Sequence, residues 1–217
     1  MSSARHLNRD QIAVAALAIA DAEGFSSVSM RRVAQKLRVG TMTLYYYVRT
    51  KSDLIAVMDD ALMAEVVAPS LPRDWRKALT MIALRTRDVF IRHPWALASM
   101  QSAPPGVNAM RHMEQCLQVL SETGMTTQEK LTLLALIDDF VFGYALRESA
   151  GDPHAGDVDL ARKQLAKGAF PRLAETFSEG RVPAMPHRFR IGLKALLASA
   201  TKRRIGPAAR PRANRKK

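Results

Sequence analysis

Between residues 8 and 68, apolar positions recur at intervals of three and four, and the polar residues among them carry helix-start and helix-stop chemistry. Asn8 with Gln11 forms a capping-box pattern, in which each side chain satisfies the other residue's backbone N–H. It opens a helix through Ile12, Ala16, Ile19 and Ala20 that Gly24 ends. Ser29 caps a short second helix reaching Leu37, and VGT then turns the chain into a third helix over 41–48. Thr50 with Asp53 repeats the capping-box pattern and starts a fourth helix through Leu54, Met58 and Leu62, which Pro69 breaks. After Pro72 the same period predicts longer helices over 75–92, 107–122 (closed by Gly124), 127–149, 160–177 and 186–202, with a short piece after Pro94. No segment alternates with period two over strand length, so the pattern predicts an all-α fold without internal repeats. Gly, Pro and Asp gather without periodicity in AGDPHAGDV, residues 150–158, which reads as a flexible loop.

Composition narrows the function. A chain of 217 residues that is 47% hydrophobic can bury a substantial core. It has no uninterrupted apolar stretch near the roughly 18 to 20 residues a membrane span needs, and MSSARHLNRDQ lacks the apolar region of a signal peptide, so the reading is cytoplasmic with no membrane partner. The single cysteine, Cys116, can form no internal disulfide and lies in an apolar helical run, where a buried structural thiol is expected. The net charge of +13 is concentrated at the ends: +5 over residues 1–51, zero over 52–200 and +8 over 201–217. A neutral body between basic ends points to a polyanion met by the ends. The terminal RIGPAARPRANRKK has almost nothing to bury and reads as a disordered basic tail.

SMRRVAQKL, VG and TMTLYYYV together have the outline of a helix-turn-helix. With Leu44 and Val48 facing inward, steps of about 100° per residue put Met42 and Tyr46 on the opposite face and Thr43, Tyr45 and Tyr47 on the flanks. A flanking tyrosine hydroxyl can reach a phosphate, and an outward side chain can touch base edges in the major groove. Arg31, Arg32, Arg49 and Lys51 bracket this helix with positive charge suited to a duplex backbone. Tyr46 has two readings, groove contact or packing on the fourth helix, and Arg32, Lys36 and Arg38 can equally be merely solvated.

Residues 10–58 resemble the DNA-binding domain of the tetracycline-repressor (TetR) family. The residues carrying the likeness are IAVAALAIADAEGFSSVSM, RRVAQKLRVG and above all TLYYYVRTKSDL, similar to the family's T-L-Y-x-[HY]-[FV]-x-x-K-x-x-L. DWRKALTMIALRTRDVFIRHPW, residues 74–95, also looks like the start of the regulatory half in the tetracycline-repressor branch. The resemblance implies that Arg31, Thr41 and Met42 contact bases and that Thr43, Tyr45, Tyr47 and Lys51 touch phosphates or base edges. Tyr47 stands where the family often has His, and Met42 can make only apolar contact, so the operator sequence stays open. It further implies a helix-turn-helix domain over 1–52 with a connecting helix over 50–68, a regulatory and dimerisation domain over 69–202 and the tail over 203–217. Partners would be a palindromic double-stranded DNA operator, a small-molecule effector and a second copy of the chain, packed through the 127–149 helix and the last helix.

Within the regulatory half, Met81, Arg85, Trp95, Met100, Met110, Met113, Phe140 and Tyr144 are candidates to line an adaptable ligand pocket. The competing reading is an ordinary core stripe at helical spacing. Gly143 in LTLLALIDDFVFGYAL suits either close approach of a neighbouring helix or core crowding. Asp138 and Asp139 interrupt that apolar run; a buried carboxylate there needs Arg85, Arg147, a group of the dimer mate or a cationic ligand. Adjacent helical residues diverge by about 100° and flank one bond poorly, so the pair does not predict an enzyme. His93 fits a helix end, and His112 with Cys116 is too sparse for metal ligation, so no cofactor is expected. The rival function is sequence-nonspecific DNA packaging through the basic tail.

Overall fold

The structure is a computed structural model that describes residues 7–99, 104–150, 163–179 and 185–200. Among these residues there is no strand, and no helix is long and apolar enough to cross a membrane. Met100, the tail over 203–217 and most of the expected loop over 150–158 lie outside the described residues.

The first four helices follow the capping chemistry. Helix α1 (Arg9–Glu23) opens on the reciprocal Asn8–Gln11 pair and closes at Gly24. Helix α2 (Met30–Leu37) is capped by Ser29, and α3 (Thr41–Tyr47) follows after three residues. Helix α4 (Lys51–Val66) opens on the Thr50–Asp53 box, and Asp53 Oδ2 also accepts from the Arg49 amide at 3.0 Å, so one carboxylate fixes the turn between α3 and α4. The α2–α3 turn differs in detail from the sequence reading: its left-handed residue is Arg38 (φ 56), whereas Gly40 is extended at φ −69. The Val39 amide bonding back to the Ala34 carbonyl closes the α2 terminus and requires that conformation.

Helices α5 (Trp75–Arg92) and α8 (Thr127–Ser149) span the ranges the periodicity predicts. Between them lie α6 (Ala96–Ser99) and α7 (Val107–Val119), the latter shorter than expected and followed by a single 3-10 turn, Ser121–Thr123. The helix expected over 160–177 is interrupted: Gly168 adopts φ 75, and α9 (Pro171–Glu179) begins with proline, which suits a first helical position. Helix α10 (Met185–Ser199) closes the described fold.

Two apolar cores result. One gathers α1 to α4 and extends into Val89, Phe90, Ala96 and Ala145; the other joins α5, α7, α8 and α10 around Leu79, Leu120, Ile137 and Phe189. Helix α4 is fastened to the larger half by polar contacts. The Arg85 guanidinium donates to the carbonyls of Glu65, Val66 and Val67 at 2.6 to 3.3 Å, satisfying the otherwise orphaned C-terminus of α4. Gln115 on α7 exchanges two hydrogen bonds with the Ala68 backbone (2.6 and 3.1 Å), and Asn108 donates its amide and side-chain nitrogens to Asp60 at 2.7 to 3.1 Å. Gly106 is required beside that clamp, because a β-carbon there would overlap the Asp60 carboxylate. Ser99 on α6 donates to the buried Asp59 at 2.8 Å, and desolvation raises the pKa of that carboxyl. On the α1 side, Asp21 accepts from His93 Nδ1 (2.7 Å) and Trp95 Nε1 (2.8 Å), while Phe25 stacks on Trp95 at 5.4 Å.

Candidate DNA-binding face and effector cavity

Leu44 and Val48 are wholly buried, each contributing about 1.5 to 3 kcal/mol of transfer free energy, and this pair fixes the rotation of α3. Met42 and Tyr46, four residues apart, consequently project to solvent at 81% and 83% exposure. Thr43 and Tyr45 are exposed on the flank, and Thr41 and Tyr47 are partly buried. Tyr47 packs against the first core and meets Tyr46 edge to face, with centroids 5.2 Å apart. Tyr46 thus does not bury against α4; the packing role falls to Tyr47. Arg31 at the second position of α2 and Lys51 at the first position of α4 are exposed beside α3. Arg32 is differently placed: it forms a two-pronged ion pair with Glu23 (2.6 and 3.1 Å), which holds the Glu23 carboxyl below its usual range through that hydrogen bond. Two short helices at a fixed turn, the second presenting a solvent-facing stripe between cations, form a surface shaped for the major groove.

The second half contains a nearly closed cavity of about 10 Å³, room for about one water, between α5, α7 and α8. Its walls are Leu79, Ile82, Ala83 and Thr86 from α5; His112, Met113 and Cys116 from α7; and Leu134, Ile137, Asp138 and Val141 from α8. Of the ligand-lining residues predicted from sequence, Met113 alone borders it. Met81 and Arg85 face a different, open groove against α10, and Arg85 is engaged by the α4 carbonyls. Trp95 belongs to the contact with α1, and Met110 is 67% exposed. Phe140 and Tyr144 pack with Phe189 in the second core. The structure therefore does not gather these candidates around one cavity, because the cavity-facing side of α5 follows 79, 82, 83 and 86, and Met81 lies off it.

Burial dominates the chemistry of the cavity. Desolvation, with a smaller push from Asp139, raises the Asp138 carboxyl to about 6. Desolvation first and the Asp138 charge second raise the Cys116 thiol to about 12, so it stays protonated at neutral pH. Desolvation lowers the pKa of His112, whose Nδ1 is buried with no hydrogen-bond partner and whose Nε2 is 3.9 Å from the Cys116 sulfur. Arg85, the sequence candidate for Asp138's partner, points instead to α4, and Arg147 is exposed. Among the described residues, no three His, Cys, Asp or Glu side chains gather as a metal site.

A helix-turn-helix joined by one helix to a helical half with a small buried cavity defines a DNA-binding regulator. Family profiles match both halves: "Bacterial regulatory proteins, tetR family" over residues 12–58 and "Tetracyclin repressor-like, C-terminal domain" over residues 68–203. The HTH-type transcriptional repressor DrrR1 of Streptomyces coeruleorubidus is 35% identical over 206 residues, covering 88% of this chain and 76% of that protein. Apo ActR from Streptomyces coelicolor superposes with a TM-score of 0.79 at 28% identity, covering 92% of this chain and 97% of ActR. ActR in complex with (S)-DNPA does so with 0.78 at 29%, covering 90% and 98%. The chain belongs to the TetR family and is a helix-turn-helix transcriptional regulator of the repressor type. Regulators of this family bind DNA operators and small-molecule effectors and act as dimers.

Proposed function

We propose that this chain is a ligand-responsive homodimeric repressor whose two α3 helices enter successive major grooves of a palindromic operator, about 34 Å apart. The observation that carries the reading is the α3 surface: Met42 and Tyr46 fully outward, Thr43 and Tyr45 beside them, Arg31 and Lys51 at its edges. Met42 and Tyr46 meet base edges, Arg31 and Thr41 read bases near the helix start, and Thr43, Tyr45, Tyr47 and Lys51 hold the backbone. The functional division runs over residues 1–52, with 50–68 connecting, 69–202 for regulation and dimerisation, and 203–217 as a basic tail.

The dimer forms through α8 and α10, where Leu131, Leu136, Leu146 and Ile191 are about half exposed. Among the described residues nothing crowds a β-carbon built at Gly143, which leaves its face of α8 open to a second copy. The effector enters the α5–α7–α8 cavity, a reading supported by ActR having been found in complex with small molecules. Room for about one water means that α7 must move when it does. Because α7 holds α4 through Asn108 and Gln115, that movement is passed to the helix-turn-helix. The ligand acts through its different affinities for the two α7 positions.

The reading is favoured over nonspecific packaging because a dedicated recognition face is present and the likeness covers both halves. DNase I footprinting on the chain's own upstream region, with scrambled DNA at physiological salt as the competitor, tests it. A repressor gives an operator-sized footprint and a specificity ratio above about 10³. Equal affinity for both DNAs, or a footprint unchanged in Tyr46→Ala, refutes it.

A further inference from the structure

Resting on the assignment of this cavity as the effector site, we propose that the effector is an apolar molecule carrying one protonated amine, and that Asp138 receives the ammonium group. Asp138 is the one acidic side chain among the lining residues, set among Leu79, Ile82, Ile137 and Val141. A carboxylate in such surroundings costs free energy unless a cation or hydrogen-bond donor answers it. Among the described residues Arg85 is committed to the α4 carbonyls, Arg87 to Glu148 and Asp88, and Arg111 to Asn108, while Arg147 is exposed to solvent. Among the described residues of one protomer no hydrogen bond or ion pair answers this half-buried carboxylate, which leaves it open to a cation brought by a ligand.

Two further features fix the ligand's character. The remaining walls are aliphatic or thioether, so the rest of the molecule is apolar. The unpartnered His112 Nδ1 supplies a second polar anchor for an N–H, hydroxyl or carbonyl on the same molecule. Although burial raises its pKa to about 6, Asp138 remains mostly ionised at pH 7 and keeps the charge an ammonium needs. Met113, 39% exposed on α7, is the pliable side chain that yields when the cavity opens.

The test uses the full-length protein and two probes that share the naphthylmethyl group, the cationic 2-naphthylmethylamine and its neutral, slightly larger N-acetyl derivative, titrated at pH 7.5 into wild type and Asp138→Asn. Binding is followed by calorimetry and by the NMR methyl signal of Met113. The expected result is roughly ten- to hundredfold tighter binding of the amine to wild type, with the Met113 signal shifted. In Asp138→Asn the preference should fall to about one while the acetylated probe keeps its affinity. Equal binding of both probes to wild type with the Met113 signal shifted overturns the cationic class and leaves the cavity standing. So does an amine preference that survives in Asp138→Asn. Binding of neither probe at millimolar concentration, or binding without a Met113 shift, removes the cavity assignment and the proposal with it.

Discussion

Replacing Asp138 by Asn should stabilise the ligand-free protein, and the gain should depend on pH. The carboxyl ionises near 3.8 in the unfolded chain and at about 6 in the folded one. A raised carboxyl pKa means that the folded state binds this proton more tightly. Below about pH 4 the group is neutral in both states and imposes no penalty. As pH rises from 4 through 6, the unfolded chain ionises freely while the folded one resists, and stability falls until the full penalty is reached. Each tenfold change in an ionisation equilibrium corresponds to about 1.4 kcal/mol, so the penalty above pH 6 is on the order of 2 to 3 kcal/mol per protomer. Asn keeps the size and cannot ionise. Urea unfolding of wild type and Asp138→Asn at one protomer concentration, at pH 4.5, 6.0 and 7.5, should show a difference small at the lowest pH and largest at the highest. The neighbouring titratable groups, His112, Cys116 and Asp139, are common to both proteins. A gain independent of pH, or a loss at pH 7.5, would refute the account of Asp138 as a desolvated charge without a partner in the protomer.

Three further outcomes follow from packing, titration and backbone. Arg87 and Glu148, 10% and 21% exposed, pair at 2.6 Å between α5 and α8. Arg87→Met should therefore cost about 3 kcal/mol in urea unfolding by stranding the carboxylate, and Arg87→Met with Glu148→Leu should recover most of it. With its pKa raised to about 12, Cys116 should resist iodoacetamide at pH 8.5 in the folded protein and react at once in urea, as mass spectrometry of this single-cysteine chain would reveal. Rapid labelling without unfolding would contradict its burial. Arg38→Gly should raise stability by roughly 1 kcal/mol in the same unfolding assay, since glycine adopts the left-handed conformation without penalty; a loss would mean the arginine side chain supports the turn.

The DNA-binding half was largely legible from sequence because its determinants are local. Asn8 with Gln11 and Thr50 with Asp53 announce helix starts in neighbouring residues, and Leu44 with Val48 fixes the rotation of α3 by simple angular steps. The cavity was not legible. On α5, α7 and α8 a residue lining a void and one filling a core share the same periodicity, so Met81 and Met110 looked as suitable as Met113. Asp138 was visible as an interruption of an apolar run and His112 only as a weak neighbour of Cys116, yet which helix faced them depended on tertiary packing. Arg85 shows the same limit, since its partners are backbone carbonyls some twenty residues away, for which side-chain patterns hold no signal.

The way α4 is fastened bears on whether recognition and sensing parts can be exchanged between relatives. Arg85 grips three carbonyls and Gln115 grips the backbone of Ala68, groups that any sequence supplies at those positions. The polar contacts that demand particular side chains are few, Asp21 with His93 and Trp95, Asp59 with Ser99, Asp60 with Asn108 and Glu65 with Arg92, and beside them lies the apolar core shared with Val89, Phe90 and Ala96. A reading head grafted from another family member therefore has to supply those four acidic positions and an apolar surface that packs on Val89, Phe90 and Trp95. Exchanging operator choice while keeping effector choice thus comes down to matching one junction, an acidic set of four positions around a small apolar seam.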